Sequence, residues 1–122
     1  MTWASLLIIS DDDALASALE AVLPREARVE RARTASEAVA SLMSAPSDLV
    51  LVDDPLPDAD GLQVLQQVTK AWRDARVCFV TGRHDADRER QVRRLGVVYY
   101  TARPLELSHL GMVLNHALGA VG

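Results

Sequence analysis

The chain has 122 residues, of which 49% are hydrophobic and 25% are charged, as is usual for one globular domain with a single core. The formal net charge of -4 excludes a general attraction to phosphate backbones, so direct binding of nucleic acid by this chain is not expected. No apolar run approaches the roughly 20 residues needed to cross a bilayer or the length of a secretory signal, which predicts a cytoplasmic protein without a membrane partner.

The hydrophobic pattern alternates between short apolar runs and longer stripes at helical spacing. The apolar runs, and one run of mixed polarity that suits a sheet edge, predict strands at residues 6–9, 27–33, 49–52, 77–81 and 97–101. The stripes predict helices at residues 15–23, 35–43, 64–72, 85–95 and 107–118. Pro24 and Pro46 end the first two helices, and Gly96 ends the fourth. Thr34 and Glu37 have the spacing of a capping box at the start of the second helix.

Regular alternation of strand and helix predicts right-handed crossovers and a parallel sheet covered on both faces. We therefore expect one three-layer α/β sandwich over residues 1–122. The single cysteine, Cys78, lies in the apolar run VCFV, so an internal disulfide is excluded and a buried thiol is predicted.

Polar side chains follow the ends of four predicted strands: Ser10, Asp11 and Asp12 after the first, Asp53 after the third, Thr81 after the fourth and Arg103 after the fifth. In open parallel sheets, sites form beyond the carboxyl ends of the strands. Crowded carboxylates favour a bound cation, and oxygen ligands suit Mg²⁺. With a hydroxyl and a guanidinium nearby, the set predicts a phosphoryl-binding site in which Asp53 is a candidate nucleophile.

The order and spacing of these motifs resemble the receiver domain of two-component response regulators, from Leu6 to about Leu118. The resemblance rests on LLIISDDDALASAL, on VCFVTG, on LGVVYYTARPL, and on DLVLVDDPLPDADGL, in which proline and Asp-Gly follow Asp53 at the family's spacing. It implies a flavodoxin-like fold, with five helices around a five-stranded parallel sheet of order 2-1-3-4-5.

The resemblance also implies roles for particular residues. Asp53 would be the phosphoacceptor. Asp11, Asp53 and the backbone carbonyl of Pro55 would bind Mg²⁺. Thr81 would be the switch hydroxyl, and Tyr100 the aromatic residue whose rotamer follows it. Arg103 stands at the position of the family's phosphoryl-binding lysine.

The implied function is that of a phosphoacceptor switch rather than an enzyme with a separate substrate. The phosphoryl donor would be a histidine kinase or a histidine phosphotransfer protein, and the domain would catalyse only its own phosphorylation and dephosphorylation. The family also allows a homodimer through the fourth helix, the fifth strand and the fifth helix.

Two departures from the family pattern leave an alternative open. Ser10 replaces the first acid of the pocket, which predicts weaker metal binding, and Arg103 replaces a lysine by a bulkier cation. Both changes fit a pseudo-receiver, a protein-interaction module with weak or absent phosphorylation. An aspartyl phosphohydrolase is a weaker alternative, because Pro55 stands where a second acid would be needed. Asp54, directly after the acceptor, should face the opposite side of the sheet from Asp53.

Overall fold

The computed structural model describes residues 4–119, in which strands and helices alternate throughout. The strands are β1 (Ser5–Ile9), β2 (Arg28–Ala32), β3 (Leu49–Asp54), β4 (Arg76–Thr81) and β5 (Tyr99–Ala102). The helices are α1 (Asp13–Val22), α2 (Ala35–Ser44), α3 (Gly61–Ala71), α4 (Ala86–Arg94) and α5 (Leu107–Gly119). Every predicted element is present in the predicted order.

All five strands belong to one parallel sheet of order β2-β1-β3-β4-β5, as predicted. The strand of mixed polarity, β2, lies at one edge. The other edge strand, β5, begins two residues later than the apolar run VVYYT suggested. Gly96 adopts a φ of 85°, and Val98 follows this turn with half of its surface exposed. The N–H of Val98 donates to the carbonyl of Val77, and regular pairing of β5 with β4 begins at Tyr99.

Alternate residues of each strand enter one of two apolar cores. On one face, β-strand residues such as Leu7, Val50 and Phe79 pack with the apolar sides of α2, α3 and α4. On the other face, residues such as Leu6 and Cys78 pack with α1 and α5. Because apolar residues occupy both faces of the central strands, these strands appear in the sequence as continuous apolar runs.

Four helices begin at a side-chain cap that satisfies backbone N–H groups at the first turn. Asp12 caps α1, Thr34 caps α2, Asp60 caps α3 and Asp85 caps α4. The predicted capping box is present in modified form, because the Glu37 carboxylate accepts from the N–H of Arg33 rather than from that of the cap residue. Within residues 4–119, no helix combines the length and apolar character needed to span a membrane.

Candidate functional site

The buried polar side chains of the described chain gather at the carboxyl edge of the sheet. Ser10, Asp53, Asp54 and Thr81 are each at most 3% exposed, and each lies at or just beyond the end of a strand. Burying polar groups costs free energy unless they are hydrogen-bonded, and burying charges costs still more unless they are paired. Their hydrogen-bond partners therefore define the chemistry of this edge.

One oxygen of Asp53 is held by two donors, one directly after β1 and one directly after β5. The Ser10 hydroxyl donates to Oδ2 at 2.7 Å, and Nη2 of Arg103 donates to the same oxygen at 2.8 Å. The other oxygen, Oδ1, receives no hydrogen bond from any residue between 4 and 119. Burial raises the pKa of Asp53, although the hydrogen bond from Ser10 and the charge of Arg103 act in the opposite direction.

Ser10 is itself fixed by the backbone around it. Its N–H donates to the carbonyl of Ala32, its carbonyl accepts from the guanidinium of Arg31, and its hydroxyl accepts from the N–H of Asp12. Asp12 caps α1, and its carboxylate also lies 3.4 Å from Nη2 of Arg103. The replacement of an acid by Ser10 thus supplies a hydroxyl donor to Asp53 as well as removing a charge.

Asp54 forms a second buried carboxylate centre on the other side of β3. Its Oδ1 accepts from the N–H of Gly61 at 2.8 Å and lies 3.2 Å from Nη2 of Arg83. Its Oδ2 accepts from the Thr81 hydroxyl at 2.8 Å and lies 2.8 Å from Nη2 of Arg88. Burial alone would raise the pKa of Asp54, but these donors and charges outweigh burial and lower the pKa.

The register of the sheet explains why the two carboxylates have different partners. Asp53 lies opposite Val80, whereas Asp54 lies opposite Thr81. Since successive side chains of a strand face opposite sides, Asp53 and Asp54 diverge as the sequence predicted. The Thr81 hydroxyl, which the family resemblance associates with Asp53, donates to Asp54 in this structure.

Sequence reasoning gave Arg88 no role at the site, because it is one of several arginines in a polar helix. The Arg88 side chain is only 15% exposed, whereas the side chains of Arg90 and Arg93 are more than half exposed and pair with acids of the same helix. Arg88 lies 2.6 Å from Asp60 as well as near Asp54. Nothing in the local pattern of α4 distinguishes it, because its partners come from β3 and from the start of α3.

Asp11, directly after Ser10, and Pro55, directly after Asp54, are both exposed. Within residues 4–119, no three or more His, Cys, Asp and Glu side chains are close enough together to hold a metal ion by themselves. A Mg²⁺ ion usually takes one or two carboxylates, carbonyl oxygens and several waters, so it needs no such cluster. The buried Asp53 carboxylate, with its pKa raised and Oδ1 without a protein donor, fits a hard cation chemically.

Tyr100 is buried at the end of the sheet, between β4 and α4. Its ring stacks on that of Phe79 with 6.0 Å between the centroids, and the guanidinium of Arg93 lies 5.5 Å from its centroid. Its hydroxyl is 3.0 Å from Nδ1 of His84, three residues after Thr81. Tyr100 therefore connects the loop after β4 with the face formed by α4 and β5.

A flavodoxin-like sheet, with a buried acid at the end of its central strand and a cation from β5 in contact with it, defines a receiver-type signalling domain. The family model of the response regulator receiver domain matches residues 6–115, and the chain belongs to this family of two-component signalling proteins.

Known relatives agree with this assignment. The chain is 28% identical over 120 residues to the hydrogenase transcriptional regulatory protein HoxA of Cupriavidus necator, and 31% identical over 111 residues to the transcriptional regulatory protein QseB of Haemophilus influenzae. These alignments cover 98% and 90% of the chain but only 25% and 50% of the relatives. The chain thus spans a quarter to a half of the length of these proteins.

Solved structures show the same fold. A CheY-like response regulator receiver domain from Methanospirillum hungatei superimposes with a TM-score of 0.87 at 26% identity, covering 97% of this chain and 95% of that one.

Proposed function

We propose that Asp53 accepts a phosphoryl group from a phosphohistidine on a histidine kinase or histidine phosphotransfer protein. The observation that carries this proposal is the asymmetry of the Asp53 carboxylate. Ser10 and Arg103 hold Oδ2, and this fixes the side chain at the rim of the sheet. Oδ1 keeps a lone pair available for attack on an incoming phosphorus.

In this reaction Oδ1 forms a new P–O bond as the P–N bond of the phosphohistidine breaks. The electron pair of the broken bond stays on the imidazole nitrogen, so the donor leaves as neutral histidine after taking up a proton where one is needed. The Arg103 guanidinium has N–H donors left beyond its bond to Asp53, and these can bind phosphoryl oxygens. Thr81, released from Asp54, can donate to the phosphoryl group on Asp53.

A Mg²⁺ ion would be held by Asp11, Asp53 and the backbone carbonyl of Pro55. When bound, it supplies positive charge that neutralises the oxygens of the transferring group. Ser10, in place of an acid, leaves fewer negative charges around this ion than the family pattern provides.

The output of the switch would be a change at the face formed by α4, β5 and α5. Tyr100 links this face to the loop after Thr81, and the same face would support a homodimer. We place the domain in the cytoplasm, with no membrane or nucleic-acid contact of its own.

The test is intact-mass measurement after incubation with Mg²⁺ and a small-molecule phosphodonor. The wild-type protein should gain one phosphoryl group, and Asp53→Asn should gain none. Asp74→Asn, at an exposed position at the opposite end of the sheet, is the matched control and should behave as the wild type. A wild-type protein that gains no mass under saturating donor contradicts the proposal.

One observation favours a second candidate, the pseudo-receiver. Arg103 already neutralises Asp53 at 2.8 Å, in a pocket where Ser10 has removed a charge, so a divalent cation gains less by binding. A Mg²⁺ titration separates the two functions. A phosphoacceptor should bind Mg²⁺ in the millimolar range, roughly -4 kcal/mol, whereas a pseudo-receiver should show no saturable binding there.

A further inference from the structure

The Thr81 hydroxyl is fully engaged on the side of the sheet away from Asp53. It donates its proton to Oδ2 of Asp54 at 2.8 Å, and it accepts from the N–H of Arg83 at 2.9 Å. A threonine hydroxyl has only one proton to donate. Thr81 therefore cannot donate to Asp54 and to a phosphoryl group on Asp53 at the same time.

Asp54 also anchors the start of α4. Nη2 of Arg88, in the first turn of that helix, lies 2.8 Å from Oδ2 of Asp54 and 2.6 Å from Oδ1 of Asp60. Asp54 is fully buried and the Arg88 side chain is nearly so. A buried charge pair with additional hydrogen bonds is costly to break by removing one partner. The Thr81 hydroxyl and the first turn of α4 are thus both bound to the Asp54 carboxylate.

We infer that Asp54 is a positioning residue that holds Thr81 and the start of α4 in the unphosphorylated chain, and that competes with a phosphoryl group on Asp53 for the Thr81 hydroxyl. This inference rests on the function proposed above for Asp53 and Thr81. Its consequence is a coupled switch: when Thr81 turns to a phosphoryl group, Asp54 loses a donor, and its hold on Arg88 and α4 must readjust.

Hydrogen exchange of the unphosphorylated protein tests the hold on α4. Asp54→Asn replaces one acceptor oxygen by an amide NH₂. The asparagine therefore cannot accept hydrogen bonds both from Gly61 and from Thr81 and Arg88. Amide exchange in α4 should rise on the order of ten-fold in Asp54→Asn and in Arg88→Gln, as expected for the loss of a hydrogen bond to a charged group. Arg90→Gln is the control, since Arg90 is exposed and pairs with Asp87 on the surface of the same helix.

The inference is overturned if the rate of amide exchange in α4 stays within about two-fold of the Arg90→Gln control in both Asp54→Asn and Arg88→Gln. Should Asp54→Asn fail to fold, Arg88→Gln carries this test, because it leaves the bonds of Asp54 to Gly61 and Thr81 in place.

The rate of phosphoryl uptake, followed by intact mass with a small-molecule phosphodonor and Mg²⁺, tests the competition for Thr81. Asp54→Ala, which leaves no side-chain acceptor for Thr81, should take up the phosphoryl group several-fold faster than the wild type, because the Thr81 hydroxyl is released. In a Thr81→Val background, the same substitution at Asp54 should have no effect. A merely structural role of Asp54 would not depend on Thr81, so equal acceleration in both backgrounds, or none in either, overturns the competition.

The two proposals fail in distinguishable ways. If no variant gains mass, the phosphoacceptor function is wrong, and the exchange measurements on unphosphorylated protein decide alone whether Asp54 holds α4. If the wild type gains mass while exchange in α4 is insensitive to Asp54 and Arg88, the function stands and this inference is wrong.

Discussion

Restoring an acid at position 10 should destabilise the metal-free protein and make it depend on Mg²⁺. The Ser10 hydroxyl lies 2.7 Å from Oδ2 of Asp53 and is fully buried, so the carboxylate of Ser10→Asp would face that of Asp53 directly. Two unit charges about 4 Å apart repel by about 4 kcal/mol at an effective dielectric constant of about 20. The substitution also removes a hydrogen bond to a charged group, which contributes about 1.5–3 kcal/mol.

Protonation sets an upper limit on this cost. One carboxyl group can take up a proton instead of enduring the repulsion, and for a group of ordinary pKa this costs about 4 kcal/mol at pH 7. Arg103, which is about one-third exposed, offsets part of the repulsion. We therefore expect the free energy of unfolding of Ser10→Asp to be about 2–4 kcal/mol lower than that of the wild type without metal.

Urea unfolding at pH 7, with and without Mg²⁺, measures both parts of this prediction. At 100 times its dissociation constant a ligand stabilises the folded state by about 2.7 kcal/mol, so Mg²⁺ should restore most of the loss in Ser10→Asp and add less to the wild type. Ser108→Asp, at an exposed position in α5, is the control and should change by no more than about 0.5 kcal/mol. The reasoning is refuted if metal-free Ser10→Asp is as stable as this control, or if Mg²⁺ stabilises both variants equally.

Two further predictions concern packing around the sheet. A Cβ on Gly61 would lie 2.5 Å from Cβ of Asp54, so Gly61→Ala should lower the free energy of unfolding by about 1–3 kcal/mol in the same urea experiment. Gly119→Ala is the control and should not destabilise the protein, because a Cβ there meets no atom of another described element within 4 Å. Burial raises the pKa of the Cys78 thiol to about 12. A thiol reagent should therefore leave the native protein unlabelled up to about pH 9 and label it fully in denaturant. Rapid labelling of the native protein would contradict this prediction and show that the core around Cys78 opens.

The fold was predictable because its signals are local. Apolar runs marked the central strands, and spaced apolar residues marked the helices that cover them. The caps Asp12 and Thr34 were also predictable, since their targets lie within one turn of helix. The late start of β5 was not, because the hydrophobicity of Val97 and Val98 gives no sign that regular pairing with β4 begins at Tyr99.

The candidate site was predictable only in part, because its contacts join distant segments. The position of Asp53 and Arg103 at one rim followed from the rule that parallel strands end together, and their contact spans 50 residues of sequence. The bond between Thr81 and Asp54 depends instead on the register of β3 against β4, and a shift of one residue would reverse it. The contact of Arg88 depends on the orientation of a polar helix that has few apolar residues to indicate which side faces the sheet.

The adjacent carboxylates of Asp53 and Asp54 differ in the number of hydrogen-bond donors that compensate their burial. This difference supports different roles for the two residues. Asp54 has donors or cations on both oxygens, from α3, β4, the following loop and α4, so neither oxygen is available for chemistry. Asp53 has donors on one oxygen only, and burial still raises its pKa. A carboxylate that is incompletely compensated gains most from an incoming cation and phosphoryl group. The same burial therefore supports the proposed roles of Asp54 as an anchor of α4 and of Asp53 as the phosphoacceptor.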